Sequence, residues 1–351
     1  MMVKVGIIGG GSISEFHIAP YVAHEEVEFV AICEQNEQRL QQLGEKYGTQ
    51  FLYQDYKELL KNPEIDAVSI CTWNNTHAQI AIEALQAGKH VLVEKPLSTT
   101  VEDAERVAHA VAQSGKILQV GFVRRHAQNI HVLKKFIDAG EFGEIYYAKA
   151  SCLRRLGNPG GWFSDISKSG GGPVMDLGVH MVDICWYLMG KPKPVTVSAN
   201  TYKKLGNRKH IENLTFYQAA DYNAEQNDVE DLANALIRFE NGASLFIDVS
   251  FTLQMKQDEV AIKLYGEYSG AEIEPALSIV QERHGTILNV DPQIDDKQFN
   301  FAGSFNNEIN HFIRCIVNDE KNIAPVEDGV IVMKMLAAIY ESAKLGKEVE
   351  L

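Results

Sequence analysis

The 351-residue chain has no cysteine pair, no long apolar run and a shortage of positive charge, and each absence removes a class of protein. Cys33, Cys71, Cys152, Cys185 and Cys315 are widely spaced, with no C-x-x-C to hold zinc or exchange disulfides. Reduced structural thiols and no metal site are therefore expected. No apolar stretch approaches the roughly 18 residues of a membrane span. The strand-like run Val3–Ile8 follows the first residues at once and leaves no room for a signal peptide, so a cytoplasmic protein without a membrane partner is expected. Lys and Arg number 33 against 47 Asp and Glu, a net charge of −14. Nucleic acids need a basic face to displace their counterions, so they are not expected partners. Repeats and low-complexity tracts are missing too. What remains is a globular composition, 45% hydrophobic and 23% charged, in a chain longer than one core usually serves, which predicts two domains.

The first third alternates short β-rich runs with helical patterns. Strands are predicted at Val3–Ile8, Val27–Cys33, Asp66–Cys71, His90–Glu94 and Ile117–Gly121, with a weaker one near Phe51. Helices are predicted at Ile13–Ala23, Glu37–Tyr47, Tyr56–Lys61, His77–Ala87 and Val101–Ser114. Apolar strands alternating with helices predict an α/β domain, a doubly wound parallel sheet of Rossmann type over residues 1–124. From residue 125 to 351 a helix through Ala139 gives way to strands at Glu144–Arg155, Val195–Tyr202, Leu232–Phe239, Ala243–Phe251 and Glu259–Tyr265. Short turns such as Glu240-Asn241-Gly242 join some of them, which predicts an α+β domain with a mostly antiparallel sheet. Lys203–Asn227 reads as a long polar excursion. Val330, Met333, Leu336, Tyr340 and Ala343 mark a final amphipathic helix, placed with the second domain and free to pack back toward the first.

The first βα turn, Gly9-Gly10-Gly11-Ser12-Ile13-Ser14, has the context of a dinucleotide fingerprint. Gly9 permits the tight turn, Gly11 lets a pyrophosphate reach the backbone, and the helix start at Ser12 and Ile13 offers N–H groups. Glu34 ends the second strand where a carboxylate would accept both ribose hydroxyls and repel a 2′-phosphate, which favours NAD over NADP. Thr72-Trp73-Asn74-Asn75-Thr76-His77 and Glu94-Lys95-Pro96 follow later strands, on the rim where doubly wound sheets bind ligands. Asn74 is placed to meet the nicotinamide ribose, and His77 either contacts the cofactor or orients its turn. In the second domain, Gly170-Gly171-Gly172-Pro173-Val174-Met175-Asp176 leads into His180. A helix from about Met175 puts Asp176 and His180 on one face with Asp183 a turn later, and Leu177, Met181, Ile184 and Leu188 on a buried stripe. A histidine beside a carboxylate is a candidate general base near neutral pH.

Taken together, the Gly9-x-Gly11 turn, Glu94-Lys95-Pro96 and Asp176-x-x-x-His180 resemble the Gfo/Idh/MocA oxidoreductases. The resemblance extends to Asn74-x-x-His77, the Gly140–Glu144 turn and Trp162, and spans nearly the whole chain. It implies a Rossmann domain followed by an α/β domain whose open sheet often mediates oligomerisation, hence a homo-oligomer, dimer or tetramer. It also implies Lys95, Asp176 and His180 as the catalytic set. Ser14 at the third glycine position and Trp73, where many members have proline, depart from the pattern.

The expected activity is NAD-dependent interconversion of a secondary alcohol and a ketone on a small-molecule sugar, sugar derivative or cyclitol. His180 exchanges the hydroxyl proton, Asp176 orients it, and Lys95 stabilises developing alkoxide charge. Arg124, Arg155 and Trp162 are candidate substrate contacts, with a structural role for Arg124, Arg125, Arg154 and Arg155 as the alternative. Redox-assisted elimination or glycosidic cleavage with tightly held NAD, and a nicotinamide-binding regulator, are the competing functions.

Overall fold

A computed structural model describes residues 2–219, 221–223 and 225–351, and the chain divides into two compact units. One runs to His126 and adds Phe301–Met333; the other comprises Ala127–Asn300 and Lys334–Leu351. The first contains β1 (Val3–Ile8), α1 (Ser14–Ala23), β2 (Val27–Cys33), α2 (Glu37–Tyr47), β3 (Phe51–Tyr53), α3 (Tyr56–Lys61), β4 (Ala67–Ile70), α4 (Asn74–Gln86), β5 (His90–Glu94), α5 (Val101–Ser114) and β6 (Leu118–Gly121). Among the described residues six strands pair in parallel in the order β3-β2-β1-β4-β5-β6, the expected doubly wound sheet. Val5, Ile7, Val68, Ile70, Val91 and Val93 are fully buried, as strands covered on both faces require.

Local chemistry sets the helix starts. The Asn36 side chain accepts the Arg39 N–H at 3.0 Å and Thr100 accepts that of Asp103 at 3.1 Å, capping α2 and α5. α4 starts at Asn74, three residues ahead of the predicted His77, because polar residues that read as loop suit a first helical turn. There the Thr76 hydroxyl bonds the Trp73 carbonyl and the Thr72 hydroxyl, each at 2.7 Å.

The second unit is built from α6 (Gln128–Asp138), β7 (Ile145–Leu153), α7 (Ile166–Ser169), α8 (Val179–Leu188), β8 (Pro194–Tyr202), β9 (Leu232–Phe239), β10 (Ser244–Ser250), β11 (Glu259–Gly266), β12 (Ser269–Glu274), β13 (Ser278–Arg283) and β14 (Thr286–Val290). After α9 (Phe301–Asn318) and α10 (Val326–Leu345), β15 (Val349–Glu350) closes its sheet. The order among the described residues is β14-β13-β12-β11-β7-β10-β9-β8-β15, antiparallel throughout except for the parallel pair β7–β10. The predicted turn at Glu240–Gly242 joins β9 to β10, and Gly242 takes a φ of 86° that suits glycine. No helix or strand is found among the described residues between Tyr202 and Leu232, in keeping with the predicted excursion, of which residues 220 and 224 lie outside the described set.

Two features differ from expectation. α9 belongs with the first unit, where Ile309, Phe312 and Ile313 share a core with Val3, Val5, Ile7, Ile18 and Tyr21. The helix predicted from Met175 instead opens with a π-helical turn over Val174–Gly178, in which the Val179 N–H reaches the Val174 carbonyl, and then continues as α8. That wider turn shifts the register of the residues after it by about one position, roughly 100°. Asp183 is buried, and burial on α8 extends well beyond the predicted stripe.

Candidate active site

The first unit holds Gly9, Gly11, Ser12, Ile13, Glu34, Thr72, Asn74, His77, Glu94, Lys95 and Arg124; the second holds Arg155, Trp162, Asp176 and His180. The reversal of strand order between β1 and β4 places the glycine turn against the Cys71–Thr72 turn. Gly9 has a φ of 98°, and a Cβ there would lie 2.6 Å from the Cys71 carbonyl oxygen, so only glycine fits. At Gly11 a Cβ would meet nothing within 4 Å, which leaves the backbone open to an approaching group. The Glu34 carboxylate accepts the Gly10 and Asn36 N–H groups, each at 2.8 Å, and Arg39 stands 3.5 Å away. An open glycine backbone at a helix start, beside a carboxylate fixed at the end of β2, is what the pyrophosphate and adenosine ribose of NAD require, and these residues fit it.

The Lys95–Pro96 peptide bond is cis, and side chains hold both sides of it. The Glu94 carboxylate accepts the Lys95 N–H at 3.2 Å, and His77 Nδ1 lies 2.7 Å from the Pro96 carbonyl. His77 Nε2 is 3.1 Å from the Thr72 carbonyl. Burial pushes the His77 imidazole below its ordinary value, and a neutral ring donates only one hydrogen bond, which the shorter distance assigns to Pro96. Of the two predicted roles for His77, this geometry serves the orienting one: it ties the turn after β4 to the turn that presents Lys95. Asn74 is buried on the first turn of α4, and Arg124 is half-buried beyond β6.

Glu94 points inward, to His17 Nε2 at 2.9 Å. Burial would raise its carboxyl, but the His17 hydrogen bond and charge and the nearby Lys95 ammonium hold it below the ordinary value of 4.5. A lowered carboxyl stabilises the fold above its unfolded value and loses that contribution as the pH falls through the folded one. Glu94→Gln should therefore melt below the parent protein at neutral pH, with the difference closing in acid below 4.5. A difference that persists undiminished to about pH 3 would contradict this coupling.

In the second unit, Asp176 and His180 are the residues between Gly171 and Trp186 that are not buried. A largely buried segment thus offers a carboxylate and an imidazole, four residues apart, as its accessible groups. The glycine run ahead of them does not leave an open approach. A Cβ on Gly171 would lie 1.9 Å from the Tyr340 hydroxyl and one on Gly172 2.5 Å from the Glu230 carbonyl, so the chain itself fills that space. Trp162 stacks on Phe163 with ring centroids 3.9 Å apart, and the Ala219 N–H bonds the Pro159 carbonyl at 2.8 Å, so the excursion covers this turn. The Arg155 guanidinium donates to the Lys256 carbonyl at 3.1 Å, and that of Arg154 to Gly157 at 3.1 Å. Arg125 is wholly buried on Asp328. Sequence reasoning missed His17, Arg39 and Glu230, since a polar residue in a helix or loop reads as solvated until its partner is located. Among the described residues no cluster of His, Cys, Asp and Glu is arranged to hold a metal ion, and no helix is long and apolar enough to cross a membrane.

A dinucleotide turn at the switch point of a doubly wound sheet, in a chain that also presents a carboxylate–imidazole pair, defines the nicotinamide-dependent oxidoreductases. The chain belongs to the Gfo/Idh/MocA family: the model described as oxidoreductase family, NAD-binding Rossmann fold, matches residues 3–122, and that described as oxidoreductase family, C-terminal alpha/beta domain, matches 134–351. It is 32% identical to D-glucoside 3-dehydrogenase of Escherichia coli (strain K12), over 99% of this chain and 97% of that one. It is 28% identical to scyllo-inositol 2-dehydrogenase (NAD(+)) of Bacillus subtilis (strain 168), over 99% and 96%. An oxidoreductase domain protein from Kribbella flavida shares the fold with a TM-score of 0.87 at 22% identity, covering 100% of this chain and 99% of that one.

Proposed function

We propose that this oxidoreductase oxidises a ring secondary alcohol of a sugar, sugar derivative or cyclitol to the ketone, and runs the reverse reduction. The observation that carries the reading is the accessibility of Asp176 and His180 within a segment, Gly171 to Trp186, whose other residues are buried. The names of the E. coli and B. subtilis relatives, dehydrogenases of a D-glucoside and of scyllo-inositol, support the substrate class. Residues 1–124 carry cofactor binding and residues 125–351 substrate binding and assembly, with the α9 segment completing the core of the former.

Bound NAD supplies the hydride acceptor. Gly9, Gly11, Ser12 and Ile13 hold its pyrophosphate, Glu34 its adenosine ribose, and the turns of Thr72, Asn74, His77, Glu94 and Lys95 its nicotinamide end. His180 takes the substrate hydroxyl proton on an imidazole nitrogen as the carbinol C–H bond breaks, and returns it in the reverse direction. Asp176 orients the imidazole and hydrogen-bonds the substrate. The Lys95 ammonium stabilises the negative charge that develops on the reacting oxygen. Arg124, Arg155 and Trp162 complete the substrate contacts. The outward side of the second sheet, with Tyr147 stacked on Tyr265 at 5.5 Å and Leu236 and Phe246 part exposed, supports assembly into a homo-oligomer. Five buried free cysteines suit a cytoplasmic enzyme.

Nicotinamide absorbance tests the reading, with NAD or NADP and a panel of inositols, aldoses, D-glucosides and sugar acids. NADH formation with a D-glucoside or an inositol is expected, and faster with NAD than NADP because the Glu34 carboxylate opposes a 2′-phosphate. Bound NAD with no NADH from any compound would overturn the dehydrogenase reading.

A further inference from the structure

We propose that Glu230 is the positioning residue for the acid–base pair, an inference that rests on the roles just given to Asp176 and His180. Its side chain is buried, and among the described residues it bonds the start of the helix that carries them and one neighbouring phenol. Oε2 accepts the Gly172 N–H at 3.0 Å, Oε1 the Val174 N–H at 3.1 Å, and Oε1 also the Tyr340 hydroxyl at 2.8 Å. Pro173 between them has no N–H, so both donors of Gly172-Pro173-Val174 end on one carboxylate. These are the orphan groups that open a helix, and a negative charge there also complements the helix dipole. A buried carboxylate with three hydrogen bonds is costly to move and costly to strip of its partners, which makes it a rigid anchor.

The surroundings are shaped to this anchor. A Cβ on Gly172 would come within 3.1 Å of the Glu230 carboxyl carbon as well as against its carbonyl, and Gly171 has no room beneath Tyr340. Burial first, then the charge and hydrogen bond of Glu230, push the Tyr340 phenol well above its ordinary value, so it stays a donor. Val174 begins the π-helical turn, and the Asp176 N–H bonds the Gly172 carbonyl at 3.1 Å, so the peptides fixed by Glu230 are those from which Asp176 and then His180 are hung. The π-helical turn sets where the two side chains point, and Glu230 sets where that turn begins.

The test compares Glu230→Ala, Glu230→Gln and His180→Asn with the parent protein, using NAD and whichever of methyl D-glucoside and scyllo-inositol is oxidised. NAD-binding stoichiometry, read from protein fluorescence, counts molecules with an intact nucleotide turn in the other unit, and circular dichroism matching the parent's checks that the unit holding Glu230 is folded. A displacement of the pair by an ångström costs about 10²-fold, so kcat per NAD-binding molecule should fall by about that factor in Glu230→Ala. KM should move little, and Glu230→Gln, which keeps one acceptor oxygen, should recover part of the loss. Unchanged kcat per NAD-binding molecule in Glu230→Ala overturns the proposal. Where that variant fails to bind NAD, Tyr340→Phe, which removes the third bond to Glu230 together with the hydroxyl's contacts to the Gly172 and Met175 backbone, should lower kcat severalfold, and a parental kcat there overturns it equally. Parental turnover in His180→Asn instead refutes the acid–base reading itself. If neither compound reacts, the isotope-labelled imidazole signal of His180, assigned by its loss in His180→Asn, should shift in Glu230→Gln, and an unshifted signal rejects the anchor.

Discussion

Exchanging His180 for asparagine is expected to slow turnover by about 10²- to 10⁴-fold while leaving NAD affinity where it was. Asparagine keeps a polar group of similar reach but cannot take a proton, so the loss isolates proton transfer from packing. His180 is only partly buried, and its neighbours Val179 and Met181 fill the core around it, so the helix should survive the change. Lys95→Met is the companion variant: it keeps the length of the stem, removes the charge, and should cost about 10²- to 10³-fold. In each case the comparison is kcat against the Kd for NAD, and turnover equal to the parent enzyme's removes that residue from the catalytic set.

The second large effect concerns stability. Arg125 is completely buried, with Nη1 donating to Asp328 Oδ2 at 2.5 Å and to the Ile323 carbonyl. Removing one partner breaks a buried ion pair and leaves the other charge uncompensated by it, so Arg125→Met or Asp328→Asn should each cost about 3–5 kcal/mol. Arg125→Met combined with Asp328→Asn removes both charges and should be far less destabilised than the sum of the two single changes. Urea unfolding of the four proteins measures this, and a double variant as unstable as the sum would show that the two residues act independently. The pair lies within one unit, immediately before the chain leaves it at His126, so the cost should appear in unfolding before it appears in chemistry.

Much of the first unit was legible because each signal there is local. Val5–Ile8, Phe29–Cys33 and Val91–Val93 are unbroken apolar runs inside their strands, and α2 and α5 begin on residues whose side chains cap them. The nucleotide turn was legible for the same reason: Gly9 needs glycine because of the backbone immediately around it. What stayed hidden depends on partners far along the chain. Ile309, Phe312 and Ile313 announce an apolar helix face, but nothing in their spacing says that the face covers β1. Glu230 closes a polar stretch, where a carboxylate is expected to be solvated, and only its meeting with Gly172, Val174 and Tyr340 gives it a purpose. The π-helical turn is invisible because Val174–Gly178 would serve an α-helix as well. The glycines ahead of it are needed because Tyr340 and Glu230, distant in sequence, close in on Gly171 and Gly172.

The return of α9 to the first unit has a consequence for how the protein is made. Tyr21, Ile18 and the strand residues they pack with share a core with Ile309 and Phe312, which the ribosome delivers nearly three hundred residues later. At usual elongation speeds of about 5–20 residues per second, that is a wait of roughly fifteen to sixty seconds. During it, the newborn amino-terminal segment carries a greasy flank that nothing yet shields. Chaperone capture in that interval, and slow closure of so distant a contact on refolding, are set by where this one helix falls in the order of synthesis.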